Sequence, residues 1–151
     1  MPVPDWYNGM IYPVRDWKVK AAIWYQGENN AGRAGEYAPL LTSLIADWRE
    51  TWGWPEMPFL LVQLPNYMAK QDKPSDSGWA RLREAQFQVS RNVPHTALAV
   101  TYDPGNGTTS ILWTRKRWPA VVPWGTQNRV WRKGGGSGRI YKGSETKGNR
   151  I

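Results

Sequence analysis

Uninterrupted apolar runs alternate with stretches of helical period along the first two thirds of the chain. Val19-Lys20-Ala21-Ala22-Ile23-Trp24-Tyr25 ends in Gln26-Gly27-Glu28 and predicts a buried strand that stops at a polar turn. Across residues 36–52, Tyr37, Leu40, Leu41, Leu44, Ile45 and Trp48 recur at helical spacing, and Gly53 and Pro55 end the run. Phe59-Leu60-Leu61-Val62-Gln63-Leu64 predicts a second strand, closed by Pro65 and Asn66. Residues 79–90 place Leu82, Ala85, Gln86 and Val89 on one face of a second helix, which Asn92-Val93-Pro94 stops. Ala97-Leu98-Ala99-Val100-Thr101-Tyr102 predicts a third strand, ended by Asp103-Pro104-Gly105.

Strand, helix, strand, helix, strand, with strands apolar throughout, predicts a parallel sheet covered by helices on both faces. Ligands of such sheets sit beyond the carboxyl ends of the strands. The segments there are residues 26–32, 64–68 and 103–107, of which only the first and last carry both Gly and an acid. After Gly107 the pattern fails. Trp113, Trp118, Trp124 and Trp131 are scattered among Arg, Lys, Gly and Pro with no period, and Gly134-Gly135-Gly136 breaks any helix.

Composition narrows the chemistry. The 151 residues suit one domain. Cys is 0, which removes disulfide scaffolds, thiolate zinc sites and Cys nucleophiles, and the 1 His removes a multi-His metal site. No apolar run has the length of a membrane span, and Met-Pro-Val-Pro-Asp is not a signal peptide. The net charge of +8 divides sharply. Residues 1–103 hold 10 Lys+Arg against 11 Asp+Glu; residues 104–151 hold 10 against the single acid Glu145. The excess basicity belongs to the aperiodic part alone.

Trp24-Tyr25-Gln26-Gly27-Glu28-Asn29-Asn30-Ala31-Gly32-Arg33 crowds amides and an acid directly after a strand. Gly27 permits a tight turn or close approach to a ligand. Spacing alone favours a plain strand-to-helix loop in which an Asn caps the helix.

Five ordered blocks go further: Tyr7-Asn8-Gly9-Met10-Ile11, Ala22-Ile23-Trp24-Tyr25-Gln26-Gly27-Glu28-Asn29-Asn30-Ala31, Leu44-Ile45-Ala46-Asp47-Trp48-Arg49, Pro58-Phe59-Leu60-Leu61-Val62-Gln63-Leu64 and Leu82-Arg83-Glu84-Ala85-Gln86. Over about residues 5–107 they closely resemble the sialate O-acetylesterases, SGNH-type hydrolases. The resemblance implies a flavodoxin-like three-layer α/β/α fold with a parallel sheet, incomplete in this chain. It implies a serine esterase that removes acetyl groups from sugars, using a His base and an acidic partner, with no cofactor or metal. A secreted or periplasmic location follows for the family.

The resemblance also assigns residues. Gln26 and Asn30 match donors near the oxyanion or substrate, and Glu28 matches an acid that orients the His. Gly27 and Asn8 fall in family blocks and are candidate substrate contacts; so are Tyr25, the better placed ring, and Asp103, by its place at the end of the third strand, although Asp103 equally caps its turn with Pro104 and Gly105. Arg83 and Glu84 read as helix-face charges. Trp24, Tyr25 and Trp79 could stack on sugar rings, with Trp24 the best fit to a core position. Asn29 stands where the family commonly has Ser.

Two family blocks are absent. No Gly-Gln-Ser occurs, so the nucleophile block is expected upstream of this chain. No Asp-Ile-His-Pro block follows Gly107. The lone His95 precedes the third strand, at the end opposite the implied site, and reads as a solvent-facing loop residue.

Residues 108–136 are therefore read as an out-of-frame or disordered basic segment, and 137–151 as a family-like remnant. Thr108 to Trp118 can be encoded so that a two-base shift reads Asp-Ile-His-Pro-Val-Asp-Lys-Glu-Ala-Val, the missing block. The expectation is a partial acetylesterase domain over 1–107, inactive without its Ser and His, whose partner is an acetylated sugar and neither a membrane nor nucleic acid. The alternatives are a non-catalytic sugar-binding remnant and a basic Trp/Arg-rich nucleic-acid-binding protein.

Overall fold

A computed structural model of the chain describes residues 7–67, 73 and 76–101. Strands β1 (Ala22–Trp24), β2 (Phe59–Val62) and β3 (Thr96–Ala99) form a parallel sheet in chain order. Ala22 lies opposite Phe59, and Phe59 opposite Thr96. Helix α1 (Ala34–Thr51) connects β1 to β2, and α2 (Gly78–Asn92) connects β2 to β3.

The helices form where the apolar period demanded them. α1 buries Ala34, Tyr37, Leu41 and Ile45; α2 buries Leu82, Ala85, Gln86 and Val89. Ser77 caps α2, its hydroxyl accepting from the Ala80 amide at 3.4 Å. Both helices share one core with Phe59 and Leu61 of β2 and Leu98 of β3. Each such apolar side chain contributes about 1.5–3 kcal/mol when fully buried. The alternate residues Leu60, Ala97 and Ala99 form a second buried cluster on the other face. Strands laid down in one direction with crossovers of one hand put their helices on one side. The described helices therefore cover one face, where the apolar strands led us to expect cover on both.

β1 departs from expectation. It is three residues long rather than seven, and Ile23 is 41% exposed. It lies at the end of the described sheet order, paired only with β2, so its outward residues lack a neighbouring strand among the described residues. β2, flanked on both sides, is buried at every position.

The amino-terminal edge of the sheet is held by Arg49. Its Nε donates to the Met57 carbonyl at 3.1 Å, and one terminal nitrogen donates to the Pro94 carbonyl at 2.7 Å. His95 lies at this edge, exposed, with φ 55°, its imidazole facing Glu56 at 3.8 Å. Asp103, the end of the third predicted strand and the proposed divisions at 107 and 136 lie outside the described residues.

Candidate active-site loop

Beyond the carboxyl end of β1 the chain turns sharply at Gly27 and enters a 3-10 helix, Glu28–Arg33, that leads into α1. Gly27 is buried with φ 142°, a conformation that side chains rarely adopt. A Cβ there would meet Leu82 Cδ2 at 3.0 Å and the Tyr37 hydroxyl at 3.1 Å. The Asn30 amide donates to the Gly27 carbonyl at 2.8 Å and closes the turn. Neither Asn caps α1; the residue before the helix is Arg33, which makes no side-chain cap.

Both helices converge on the Gln26 carbonyl. The Tyr37 hydroxyl of α1 donates to it at 2.7 Å, and Gln86 Nε2 of α2 donates at 3.2 Å. Trp24 Nε1 of β1 donates to the Tyr37 hydroxyl at 3.3 Å. Gln86, only 1% exposed, also accepts from the Leu64 amide at 3.0 Å through Oε1. One amide side chain thus ties together the ends of β1 and β2. Burial raises the Tyr37 phenol above its ordinary 10.0, and the charge of Glu28 adds to this, against the opposing bonds from Trp24 and Gln86. Tyr37 is therefore a neutral donor.

With its backbone fixed, Gln26 directs its side chain along the loop. Its Nε2 donates to Asn30 Oδ1 at 3.5 Å, a bond that uses one Nε2 proton and leaves the other, with both protons of Asn30 Nδ2, to donate elsewhere. Gln26, Glu28, Asn30 and Tyr25 are all half-buried. Five of the expected site residues, Tyr25 to Glu28 with Asn30, are thereby brought together. Asn8 is not among them. It is exposed on a single π-turn, Tyr7–Ile11, whose Tyr7 hydroxyl lies 2.8 Å from the Thr51 hydroxyl at the far end of α1.

A second group lies at the end of β2. Arg83 is half-buried, not a solvated helix-face charge. Its guanidinium reaches Gln63 Oε1 at 3.4 Å and Asn66 Oδ1 at 3.5 Å, while Gln63 Nε2 donates to the Arg83 carbonyl at 3.1 Å. Glu84 is exposed, as expected, and bonds Gln88. The start of α2 presses on the loop of β1: a Cβ on Gly78 would overlap the Ala31 carbonyl. Helical spacing identified Gln86 and Tyr37 only as core-facing; their bonds to Gln26 join residues distant in sequence.

Among the described residues no group of three or more His, Cys, Asp or Glu could hold a metal, and no helix is long and apolar enough to cross a membrane.

Residues 5–109 match the family model for carbohydrate esterase, sialic acid-specific acetylesterase. The chain belongs to this family. Sialate O-acetylesterases of mouse and human are similar to it, at 34% identity over 104 residues and 36% over 110. Each alignment covers 64% of this chain, but only 19% and 21% of the mouse and human proteins. The chain thus spans about a fifth of these relatives. The crystal structure of a carbohydrate acetylesterase from Xanthomonas citri superposes with a TM-score of 0.72 at 37% identity, covering 83% of this chain and 29% of that one. The parallel α/β fold is accordingly that of the carbohydrate acetylesterases.

Proposed function

We propose that this chain supplies one wall of a pocket in which acetyl esters of sugars, such as those of sialic acid, are hydrolysed to acetate and a free hydroxyl. The observation that carries the reading is the loop at the carboxyl end of β1, anchored through the Gln26 carbonyl to both helices. A donor held in this way needs no reorganisation when negative charge develops on an ester oxygen, and one such donor commonly lowers the barrier by about 3 kcal/mol. Asn30 Nδ2 and Gln26 Nε2 are the donors, and Glu28 at the first position of the 3-10 helix is the acid that would orient a histidine.

The 151 residues hold neither a Gly-Gln-Ser nor an Asp-Ile-His-Pro block. The chain's one histidine lies at the amino-terminal edge of the sheet, the wrong end to take a proton from a serine beside Gln26. The expected result with p-nitrophenyl acetate is turnover no faster than buffer. Turnover that vanishes in Glu28→Ala would overturn the proposed inactivity. The pocket wall is tested separately by NMR of side-chain amides. O-acetylated sialic acid should shift the Gln26 and Asn30 signals more than the de-O-acetylated sugar does; unmoved signals would sink the reading.

A further inference from the structure

A pair of aromatic rings stands at the same edge of the sheet. Tyr67 and Trp79 have ring centroids 5.0 Å apart and planes tilted by 35°. The two rings differ in role. Trp79, at the start of α2, is half-buried against the main core, and its Nε1 donates to the Pro65 carbonyl at 2.8 Å. Tyr67 rests on it and is 48% exposed. The segment between them and β2 is fixed at three points: Gln86 takes the Leu64 amide, Trp79 takes the Pro65 carbonyl and Arg83 reaches the Asn66 side chain.

An exposed aromatic on an otherwise anchored turn is a ring already ordered before anything binds it. Stacking needs such a surface, since freezing a mobile side chain offsets what the contact contributes. The C–H face of a pyranose is the complementary surface: apolar on its face, with hydroxyls round its rim for neighbouring amides. Asn66 stands next to Tyr67, and its Oδ1 faces Arg83, which leaves Nδ2 as its outward donor. Gly78, the residue before Trp79, lies against the Ala31 carbonyl, one residue past the Gln26–Asn30 loop.

We propose that Tyr67, backed by Trp79 and flanked by Asn66, is a stacking platform for the pyranose ring of the substrate. This deepens and rests on the acetylesterase reading: the ring lies on Tyr67 while its acetyl group reaches the Gln26 loop.

The test uses the whole 151-residue chain labelled with meta-fluorotyrosine. The resonance missing from the Tyr67→Phe spectrum is that of Tyr67. The probes are the methyl α-glycoside of N-acetylneuraminic acid and methyl β-glucopyranoside, neither of which carries an O-acetyl ester. At least one should shift the Tyr67 resonance, and which one does so defines the preferred ring. Saturation transfer to the ring protons should give an affinity that falls about threefold to tenfold in Tyr67→Ala, the range expected for losing one aromatic stack. Tyr67→Phe should stay within about twofold, because the ring remains. The exposed position makes both variants compatible with folding. A resonance that neither glycoside moves, or a Tyr67→Ala variant that binds as the parent does, overturns the platform. Neither result bears on the acetyl pocket, whose own test requires the ester.

Discussion

At the scale of single residues, Gly27 and Tyr37 decide the shape of the candidate site. Gly27→Ala would force φ 142° on a side-chain-bearing residue and drive its Cβ against Leu82 and the Tyr37 hydroxyl, both within 3.1 Å. Backbone strain and overpacking together should cost about 2–5 kcal/mol, read as a lower urea midpoint at unchanged slope. Tyr37 gives a pH signature. Its phenol is raised by burial first and by Glu28 second, so the folded protein holds that proton to higher pH than the unfolded chain does. Stability is then full below the ordinary tyrosine value of 10.0 and falls as pH rises from there through the folded value. Urea titrations across that range should show the fall, and Tyr37→Phe should flatten it. The sequence disclosed Gly27 as a turn residue and Gln26, Glu28 and Asn30 as clustered polar groups. It did not disclose that Tyr37 and Gln86 meet at one carbonyl, because that meeting joins positions 11 and 60 residues away from Gln26.

At the scale of elements, the two ends of the sheet have separate duties. The carboxyl edge carries the Gln26 loop and the Tyr67 platform; the amino edge carries Arg49, which collects the carbonyls of Met57 and Pro94 and approaches that of His95. Burial lowers the Arg49 pKa below the ordinary arginine value. Arg49→Met should cost about 1.5–3 kcal/mol, the usual worth of hydrogen bonds from a charged donor. It should leave the Tyr67 fluorine resonance in place, since sites at opposite edges couple weakly. A shifted resonance would mean that the amino edge governs the platform. Both helices and β2 were legible because their apolar positions answer to packing on a single core. β1 was overread: Val19, Lys20 and Ala21 extend its apolar run, but only Ala22–Trp24 pair with β2, and pairing rather than hydrophobicity sets the length of a strand. Arg83 was misread for a related reason, since its partners Gln63 and Asn66 belong to another element.

At the scale of the whole chain, the family match and the charge pattern change at nearly the same place. The match ends at residue 109, helical and strand period stop at Gly107, and residues 104–151 carry 10 basic residues against one acid. We propose a shifted reading frame as the common cause. Translation in a wrong frame keeps nucleotide composition but discards selection on side chains. It therefore erases apolar period and charge balance together, whereas an evolved basic arm would have no reason to begin where an enzyme family's last strand-end block is due. Thr108-Thr109-Ser110-Ile111-Leu112-Trp113-Thr114 can be encoded as ACG-ACA-TCC-ATC-CTG-TGG-ACA, and skipping two bases yields GAC-ATC-CAT-CCT-GTG-GAC, which is Asp-Ile-His-Pro-Val-Asp. The choice of third bases makes this a prediction about DNA: the gene itself should carry codons compatible with that shifted reading. Independent reads should then reveal an insertion or deletion near residue 108 and a compensating one near residue 136. The restored segment would place a histidine after β3, at the carboxyl edge that His95 cannot reach, where Glu28 could orient it. A single open frame on independent reads, with codons that give no such block, would instead make residues 108–136 a genuine basic segment. Its charge would then need a partner of its own.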